Sequence, residues 1–235
     1  LDEKRLIEKG NAYELVFNGE NLANANKLEI QKAVRNIIFD WSGTLSDNIH
    51  AFHQACNIMF HRLGGKEITL EEIRKNFTLP YMKFWNKYFP DLTKEEQDRL
   101  YKEAIHKTEE AHLYDGSNDL LLYLHSLGMN LFVLSSDPYS KLIPEIKKAG
   151  VFDLFKEIHG EAHEKQEVIL RILEKHSLSH EETIYVGDTT GDIEAGKVAG
   201  VRTIGITWGF QHKDILKQSE PDFLIDDISE MKSFL

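Results

Sequence analysis

Acidic and hydroxyl side chains follow several short apolar runs of the sequence, and a lysine opens a helical segment between two of those runs. These side chains are Asp40, Ser135, Ser136, Asp137, Lys165, Asp188 and Asp192. Asp40 follows the run 37–39 and Asp188 follows the run 184–186, and both runs have the composition of buried strands. In an open parallel sheet, ligands bind outside the carboxyl ends of the strands. We therefore expect these side chains, which are far apart in the chain, to meet at one edge of a sheet.

Three carboxylates at one sheet edge, Asp40, Asp188 and Asp192, would repel one another unless a cation neutralised them. Oxygen ligands without His or Cys favour a hard ion, and magnesium is the natural candidate. Magnesium uses one or two carboxylates and keeps several waters, so Asp40 and Asp188 can bind it with Asp192 nearby. Asp40 could also attack phosphorus to form an aspartyl-phosphate. Ser135 and Lys165 could then hold the oxygens of the transferred group.

The elements that position these residues are predicted to form a doubly wound α/β fold. After Gly116, apolar runs alternate with helical segments, which predicts parallel strands joined by crossover helices on both faces of the sheet. Residues 49–114 instead carry a helical pattern throughout, with helix starts at Thr69 and Thr93 that fit the capping box. This block predicts an α-helical cap inserted after the first strand of a Rossmann-like core.

The predicted domain organisation has three parts. Residues 1–35 are polar and helix-prone, with weak periodicity and no chemical motif, and they predict a helical N-terminal extension. Residues 36–48 and 115–235 make up the α/β core, and residues 49–114 make up the cap. Because no Gly/Ser linker separates the cap from the core, we expect the cap to be a lid that grows out of the core.

The composition limits the class of protein. The 235 residues are 41% hydrophobic and carry a formal net charge of −11, which suits a folded core and disfavours diffuse binding to nucleic acid or an anionic membrane. The single cysteine, Cys56, excludes an intrachain disulfide, and no apolar run approaches the ~20 residues of a transmembrane helix. The charged start lacks the pattern of a signal peptide. We expect a cytoplasmic monomer or homodimer.

Four motifs resemble, in order, those of the haloacid dehalogenase superfamily, especially its phosphoglycolate-phosphatase-like branch. They are Asp40-Trp41-Ser42-Gly43-Thr44-Leu45, Ser135, Lys165 and Gly187-Asp188-x-x-x-Asp192. The similarity covers residues 36–235, with the helical block in the place of that branch's cap. The first and last motifs carry most of the signal, since a lone serine or lysine is common in any sequence.

The resemblance implies a role for each matching residue. Asp40 would be the nucleophile and a metal ligand, and Asp188 and the main-chain carbonyl of Ser42 would be further metal ligands. Asp192 would orient the metal shell. Ser135 and Lys165 would hold the phosphate, and we expect Ser136, Gly43 and Thr44 to contact the substrate as well.

Ser42 departs from the pattern of the family's phosphatases, which carry a second aspartate at this position as general acid and base. A hydroxyl cannot do both near neutral pH, and such assistance typically contributes about 10²–10⁴-fold. Three explanations are open. The substrate has a good leaving group, such as an acyl or aryl phosphate; another residue, for example Asp47 or a cap side chain, supplies the proton; or catalysis has been lost and the protein only binds phosphate and metal.

A fourth explanation comes from phosphonoacetaldehyde hydrolase, a relative that has a similar first motif and no second aspartate. It relies on a cap lysine that forms a Schiff base, and Lys75 and Lys83 lie in the comparable region of this sequence. The preferred interpretation is a magnesium-dependent phosphohydrolase that acts on a small phosphorylated metabolite through an aspartyl-phosphate. C–P bond cleavage and a regulatory phosphate-binding role are the alternatives. The substrate itself is encoded in cap side chains whose orientation the sequence does not give.

Overall fold

A parallel β-sheet lies at the centre of the part of the chain that the computed structural model describes, residues 5–9, 12–16, 34–78 and 80–234. In chain order the strands are β1 Arg5–Lys9, β2 Ala12–Val16, β3 Asn36–Phe39, β4 Ser46–Asp47, β5 His112–Leu113, β6 Asn130–Leu134, β7 Glu157–His159, β8 Thr183–Gly187, β9 Arg202–Ile206 and β10 Phe223–Ile225. Within those ranges the central sheet has six strands in the order β10-β9-β8-β3-β6-β7.

The chain order of the strands reverses at β3. The chain passes from β3 to β6 and β7 on one side and then returns to β8, β9 and β10 on the other, and every neighbouring pair is parallel. In the register of β3, Asn36 lies beside Asn130 of β6 and Thr183 of β8. The carboxyl ends of β3, β6 and β8 therefore lie side by side, at the topological switch point where such sheets bind ligands.

Helices cover both faces of the sheet. In chain order they are α1 Ile49–Arg62, α2 Leu70–Asn76, α3 Met82–Tyr88, α4 Lys94–Ile105, α5 Ser117–Ser126, α6 Tyr139–Lys148, α7 Lys165–His176, α8 Thr190–Val198 and α9 Lys213–Gln218, with 3₁₀ turns at Phe152–Leu154 and Ile228–Phe234. None of the helices in the described ranges is both long and apolar enough to cross a membrane.

Alternate residues of each strand pack on opposite faces, as the pleat requires. Ile37 and Phe39 of β3 belong to the hydrophobic cluster that includes Leu120 of α5 and Leu142 of α6. Ile38 belongs to a second cluster, which includes side chains of α7 and α8. Since both faces are buried, the strands are nearly continuous apolar runs, which is the signal that the sequence carried. The predicted doubly wound α/β fold is confirmed.

Helices α1 to α4 form the cap and have a hydrophobic cluster of their own. Cys56, Phe60, Phe84 and Trp85 are buried in it. The chain enters the cap through β4 and leaves it through β5. These two strands pair with each other as a short antiparallel ribbon. Thr69 begins α2 with the expected capping box, in which its side chain and that of Glu72 satisfy each other's backbone N–H groups.

The helical extension predicted for residues 1–35 is wrong where the structure describes it. Strands β1 and β2 pair as an antiparallel hairpin, with Lys9 opposite Ala12. The sequence signal was Gly10-Asn11, a two-residue spacer typical of hairpins, between two segments that contain β-formers such as Ile7 and Tyr13. Residues 1–4, 10–11 and 17–33 of the predicted extension lie outside the described ranges.

Candidate active site

Three carboxylates meet at the carboxyl edge of the sheet. Asp40 directly follows β3, Asp188 directly follows β8, and Asp192 lies in the first turn of α8. Each offers an oxygen atom within 4.8 Å of the others, and all three side chains are buried, at 1–4% exposure. This group, Asp40, Asp188 and Asp192, is called the acidic site below. Residues that the sequence separates by most of the core are thus brought together as expected.

Lys165 links two members of the acidic site. It is the first residue of α7, is itself buried, and donates from Nζ to Asp40 Oδ1 and to Asp192 Oδ1, at 2.6 Å in each case. Burial alone would lower the pKa of Lys165, but the carboxylates of Asp192 and Asp40 outweigh it and hold the pKa above its ordinary value. Lys165 is therefore a fixed positive charge beside the acidic site.

The charge of the acidic site is only partly balanced by Lys165. Burial raises the pKa of Asp40 to about 7, and burial together with the charges of Asp40 and Asp192 raises the pKa of Asp188. For Asp192, burial acts in the same direction but is outweighed by Lys165 and by hydrogen bonds, so its pKa is lowered. A buried cluster of oxygen donors that is short of positive charge fits a hard divalent cation such as Mg²⁺.

Asp192 is fixed by the cap of its own helix. Its Oδ2 accepts hydrogen bonds from the Thr189 backbone N–H at 3.1 Å and from the Thr189 hydroxyl at 2.6 Å, and Thr189 in turn accepts the Asp192 N–H. Its Oδ1 accepts from Tyr185 at 2.7 Å as well as from Lys165. With four hydrogen bonds already in place, Asp192 is suited to holding Lys165 and the first turn of α8 in position.

Two glycines lie directly against Asp188. A Cβ atom at Gly43 or Gly209 would overlap the Asp188 carboxylate, and Gly43 also has a φ of +80°, which favours glycine. The backbone N–H of Phe210 donates to Asp188 Oδ2 at 2.5 Å. The glycine in the first motif therefore lets the loop after β3 pass close to Asp188.

Ser42 is hydrogen-bonded to a carboxylate from the neighbouring strand end. Its hydroxyl donates to Asp137 Oδ2 and accepts a hydrogen bond from Asn48 Nδ2 at 2.7 Å. Asp137 also pairs with Lys141 at 2.9 Å. Burial would raise the pKa of Asp137, but Lys141 and the Ser42 hydrogen bond outweigh burial and lower it. A carboxylate is thus present next to Ser42, although residue 42 is not an aspartate.

Of the remaining predicted site residues, two line the cavity and two lie behind its wall. Ser135 is buried beside Asp137, accepts its backbone N–H at 3.1 Å and lines the cavity above Asp40. Ser136 also lines the cavity, but its hydroxyl donates to the Ala162 carbonyl at 3.1 Å. Gly43 and Thr44 lie behind the cavity wall, with Gly43 against Asp188 and the Thr44 hydroxyl 3.4 Å from Asp40 Oδ2. Their contribution in this structure is to support the two aspartates.

A cavity of about 1600 Å³ lies between the core and the cap. Its core wall contains the acidic site, Lys165, Ser42 and Asp137. Its cap wall includes Phe52, Phe77, Tyr81, Trp85, Lys94, Tyr101 and Lys102. The cap lysines singled out from the sequence are elsewhere, since Lys83 is exposed and Lys75 pairs with Glu71 at the surface. Asp47, another candidate proton donor, is also outside the cavity wall.

A protein-family model matches the part of the chain that contains these site residues. The model of the haloacid dehalogenase-like hydrolases matches residues 37–206, which is more than half of the chain and contains the acidic site, Ser42, Ser135 and Lys165. The chain belongs to the haloacid dehalogenase-like hydrolases. The family predicted from the first and last motifs is confirmed.

Individual members of this hydrolase family are similar along most of their length. A phosphoglycolate phosphatase from Vibrio cholerae is 28% identical over 220 residues, which cover 85% of this chain and 96% of the relative. A 5'-nucleotidase from Pseudomonas aeruginosa is 29% identical over 210 residues, covering 85% of this chain and 95% of the relative. The structure of a haloacid dehalogenase-like family hydrolase from Streptococcus pneumoniae has a TM-score of 0.76 at 26% identity and covers 86% of this chain and 99% of that one. The chain is thus a phosphatase-like member of the family.

Sequence reasoning missed the contacts of Asp137 and Gln211. Asp137 was recognised at the sheet edge, but as part of an Asp-Pro turn it had no assigned chemistry, and its approach to Ser42 depends on the pairing of β3 with β6. Gln211 is buried in the loop after β9, where a polar residue gives no signal of its own. Thr189, by contrast, precedes Asp192 by three residues, and that spacing could have been read as a helix cap.

Proposed function

We propose that this protein is a magnesium-dependent phosphohydrolase that acts on a small phosphorylated metabolite through an aspartyl-phosphate on Asp40. The observation that supports this most directly is the acidic site with Lys165 in contact, buried at the switch point of the sheet and open to the cavity beneath the cap. The names of the relatives, a phosphoglycolate phosphatase and a 5'-nucleotidase, agree with a small phosphorylated metabolite as substrate class.

Asp40, Asp188 and the main-chain carbonyl of Ser42 are the groups that we infer hold the magnesium ion. When bound there, the ion would offset the negative charge of the carboxylates and of the substrate phosphate. Both oxygens of Asp192 accept hydrogen bonds from Thr189, Tyr185 and Lys165, so Asp192 would hold these residues in position around the ion. Lys165 touches Asp40 Oδ1 and is placed to hold a phosphate oxygen as well.

Asp40 would act as the nucleophile in two steps. In the first, a carboxylate oxygen of Asp40 bonds to phosphorus while the bond from phosphorus to the leaving oxygen breaks. In the second, water bonds to phosphorus, the bond from phosphorus to Asp40 breaks, and phosphate is released with the carboxylate restored. The Ser135 hydroxyl, at the end of the adjacent strand β6, would hold another oxygen of the transferred group.

Asp137 would serve the second step through Ser42. As water attacks, one of its protons would pass to Ser42 Oγ while the Ser42 proton passes to Asp137, with which it is already hydrogen-bonded. Lys141 keeps Asp137 deprotonated, so Asp137 is poorly suited to protonating a leaving group in the first step. We therefore infer a preference for substrates whose leaving oxygen needs no proton, such as acyl or aryl phosphates, over alkyl phosphates.

The test is hydrolysis of acetyl phosphate, p-nitrophenyl phosphate and an alkyl phosphate with and without Mg²⁺. Wild-type protein should release phosphate from the first two only with Mg²⁺, and more slowly from the alkyl ester. Asp40→Asn should reduce release to background because the nucleophile is gone. Asp91→Asn, a matched change at an exposed position of the cap, should behave as wild type.

Failure of both activated substrates to react, or equal rates for Asp40→Asn and wild type, would instead favour a protein that binds phosphate and metal without turnover. The Schiff-base alternative loses the two lysines predicted for it, since Lys75 and Lys83 do not line the cavity, and it would have to use Lys94 or Lys102 of the cap wall instead. Borohydride treatment with phosphonoacetaldehyde checks it directly, and a trapped lysine adduct would revive C–P bond cleavage as the function.

A further inference from the structure

We propose that Gln211 is a positioning residue that links the cap to the first turn of α8. The acidic site then keeps all of its supporting hydrogen bonds only while the cap is packed against the core. Gln211 lies in the loop of residues 207–212, between β9 and α9. It is 2% exposed. The part that concerns turnover rests on the proposed function, whereas the structural coupling does not.

The side-chain amide of Gln211 bridges the core and the cap. Its Oε1 accepts the backbone N–H of Thr190 at 2.7 Å, and Thr190 is the first residue of α8. Its Nε2 donates to the carbonyl of Phe77 at 2.8 Å, and Phe77 is the residue that directly follows α2 of the cap. One end of the amide must accept and the other must donate, so these two partners fix its orientation.

The contact with Thr190 reaches the acidic site over a short distance. The first backbone N–H groups of a helix have no partner within the helix. Here Gln211 supplies the missing acceptor for the N–H of Thr190, two residues before Asp192. Without that acceptor, the first turn of α8 would depend on the Thr189 cap alone. Because Asp192 holds Lys165, and Lys165 holds Asp40, a shift of this turn would spread through the site.

Residues next to Gln211 in the loop also connect the cap to the core. Phe210 donates its N–H to Asp188 while its ring packs against Phe52 and Phe77 of the cap, with ring centroids 5.2 and 5.1 Å apart. From the cap, Arg74 donates to the Trp208 carbonyl at 2.9 Å and accepts the His212 N–H on its own carbonyl at 3.1 Å. The 207–212 loop thus contacts the cap, Asp188 and the first residue of α8 at once.

The coupling is tested by hydrogen exchange on the metal-free protein, with no substrate present. Gln211→Met removes both hydrogen bonds and should speed exchange in the peptide covering residues 187–196, by about fivefold at the Thr190 amide that loses its acceptor. Arg74→Met loosens the cap without touching Thr190, and it should also speed exchange in residues 187–196. Arg62→Met is the matched control, since Arg62 pairs with Glu103 inside the cap and should leave that peptide unchanged.

If Arg74→Met leaves residues 187–196 as protected as Arg62→Met does, the cap and the acidic site are independent and the proposal is wrong. The same holds if a folded Gln211→Met protein shows wild-type exchange there. In the hydrolysis assay, Gln211→Met should lower kcat as well as raise KM, with kcat/KM reduced about tenfold, because both the site and the cap are affected. A protein without any turnover would fail that assay yet could still show the exchange result, so the two failures are distinguishable.

Discussion

The Ser42 hydroxyl has a single proton, and that proton is directed at Asp137. The same oxygen accepts from Asn48, so the orientation of Ser42 is set from both sides. The substitution that sets this chain apart from the phosphatases it resembles is therefore accompanied by a carboxylate from the adjacent strand end. That carboxylate is paired with Lys141, which makes it a base rather than an acid near neutral pH.

Replacing Asp137 by Asn should slow turnover of acetyl phosphate by about 10²–10⁴-fold, the usual contribution of a general base. The first step needs no proton, so phosphorylated protein should accumulate and be visible by intact-protein mass spectrometry. The matched control is Glu145→Gln, which also removes a partner of Lys141 but does not contact Ser42. Equal effects of the two substitutions would show that Asp137 matters only through Lys141.

At this scale the sequence predicted that Asp40, Asp188 and Asp192 lie together, but not the hydrogen bonds around them. Asp40, Ser135, Lys165, Asp188 and Asp192 were recognisable because each follows a strand or begins a helix. Which residue stands next to Ser42 depends on the angle at which the loops leave β3 and β6. That angle is set by tertiary packing and not by any local pattern.

At the scale of elements, α8 carries Asp192 in its capping box, so helix stability and site geometry share the same hydrogen bonds. Thr189→Ala should destabilise the protein by about 1 kcal/mol, as expected for loss of an N-cap side chain. It should also weaken Mg²⁺ binding measured by calorimetry, because Asp192 loses the Thr189 hydroxyl. Thr93→Ala removes the equivalent cap of α4 and should lower stability alone. Unchanged Mg²⁺ binding in Thr189→Ala would argue against the coupling.

The strands and cap helices were predictable because their patterns are strong. The strands β3, β6 and β8 are mostly apolar after a polar first residue, since both faces of the sheet are covered, and the helix starts at Thr69 and Thr93 carry capping residues. The N-terminal hairpin was not predicted because Leu6, Glu8 and Glu14 also suit a helix, and the two-residue spacer Gly10-Asn11 is a short turn signal. Short polar segments allow either structure, and partners elsewhere decide between them.

At the scale of the whole molecule, the acidic site lowers the free energy of unfolding of the metal-free protein by an amount that depends on pH. Asp40 has an ordinary pKa of 3.8 and a folded pKa of about 7, so between these values the folded protein keeps a proton that the unfolded chain has lost. The free energy of unfolding must therefore fall as pH rises through that range. The raised pKa of Asp188 acts in the same direction, whereas the lowered pKa of Asp192 acts only at more acidic pH.

Thermal unfolding in EDTA should accordingly show a midpoint lower by roughly 5 °C at about pH 8 than at about pH 5. Added Mg²⁺ should raise the midpoint more at the higher pH, since the carboxylates it binds are then ionised. Asp40→Asn supplies the control and should flatten the metal-free profile. A midpoint in EDTA that rises over this range in wild type, or an Asp40→Asn profile as steep as that of wild type, would contradict the assignment.

The ribbon of β4 and β5 makes the cap a module with adjacent ends. Because Ser46 pairs with Leu113 and Asp47 with His112, the chain departs from the core and rejoins it through neighbouring, hydrogen-bonded residues. A replacement segment at this position must therefore have termini that lie close together, and it must also offer partners for Gln211 and Phe210 if the acidic site is to keep its geometry. Specificity can then be exchanged by transplanting one continuous stretch of sequence, as long as those two contacts are transplanted with it.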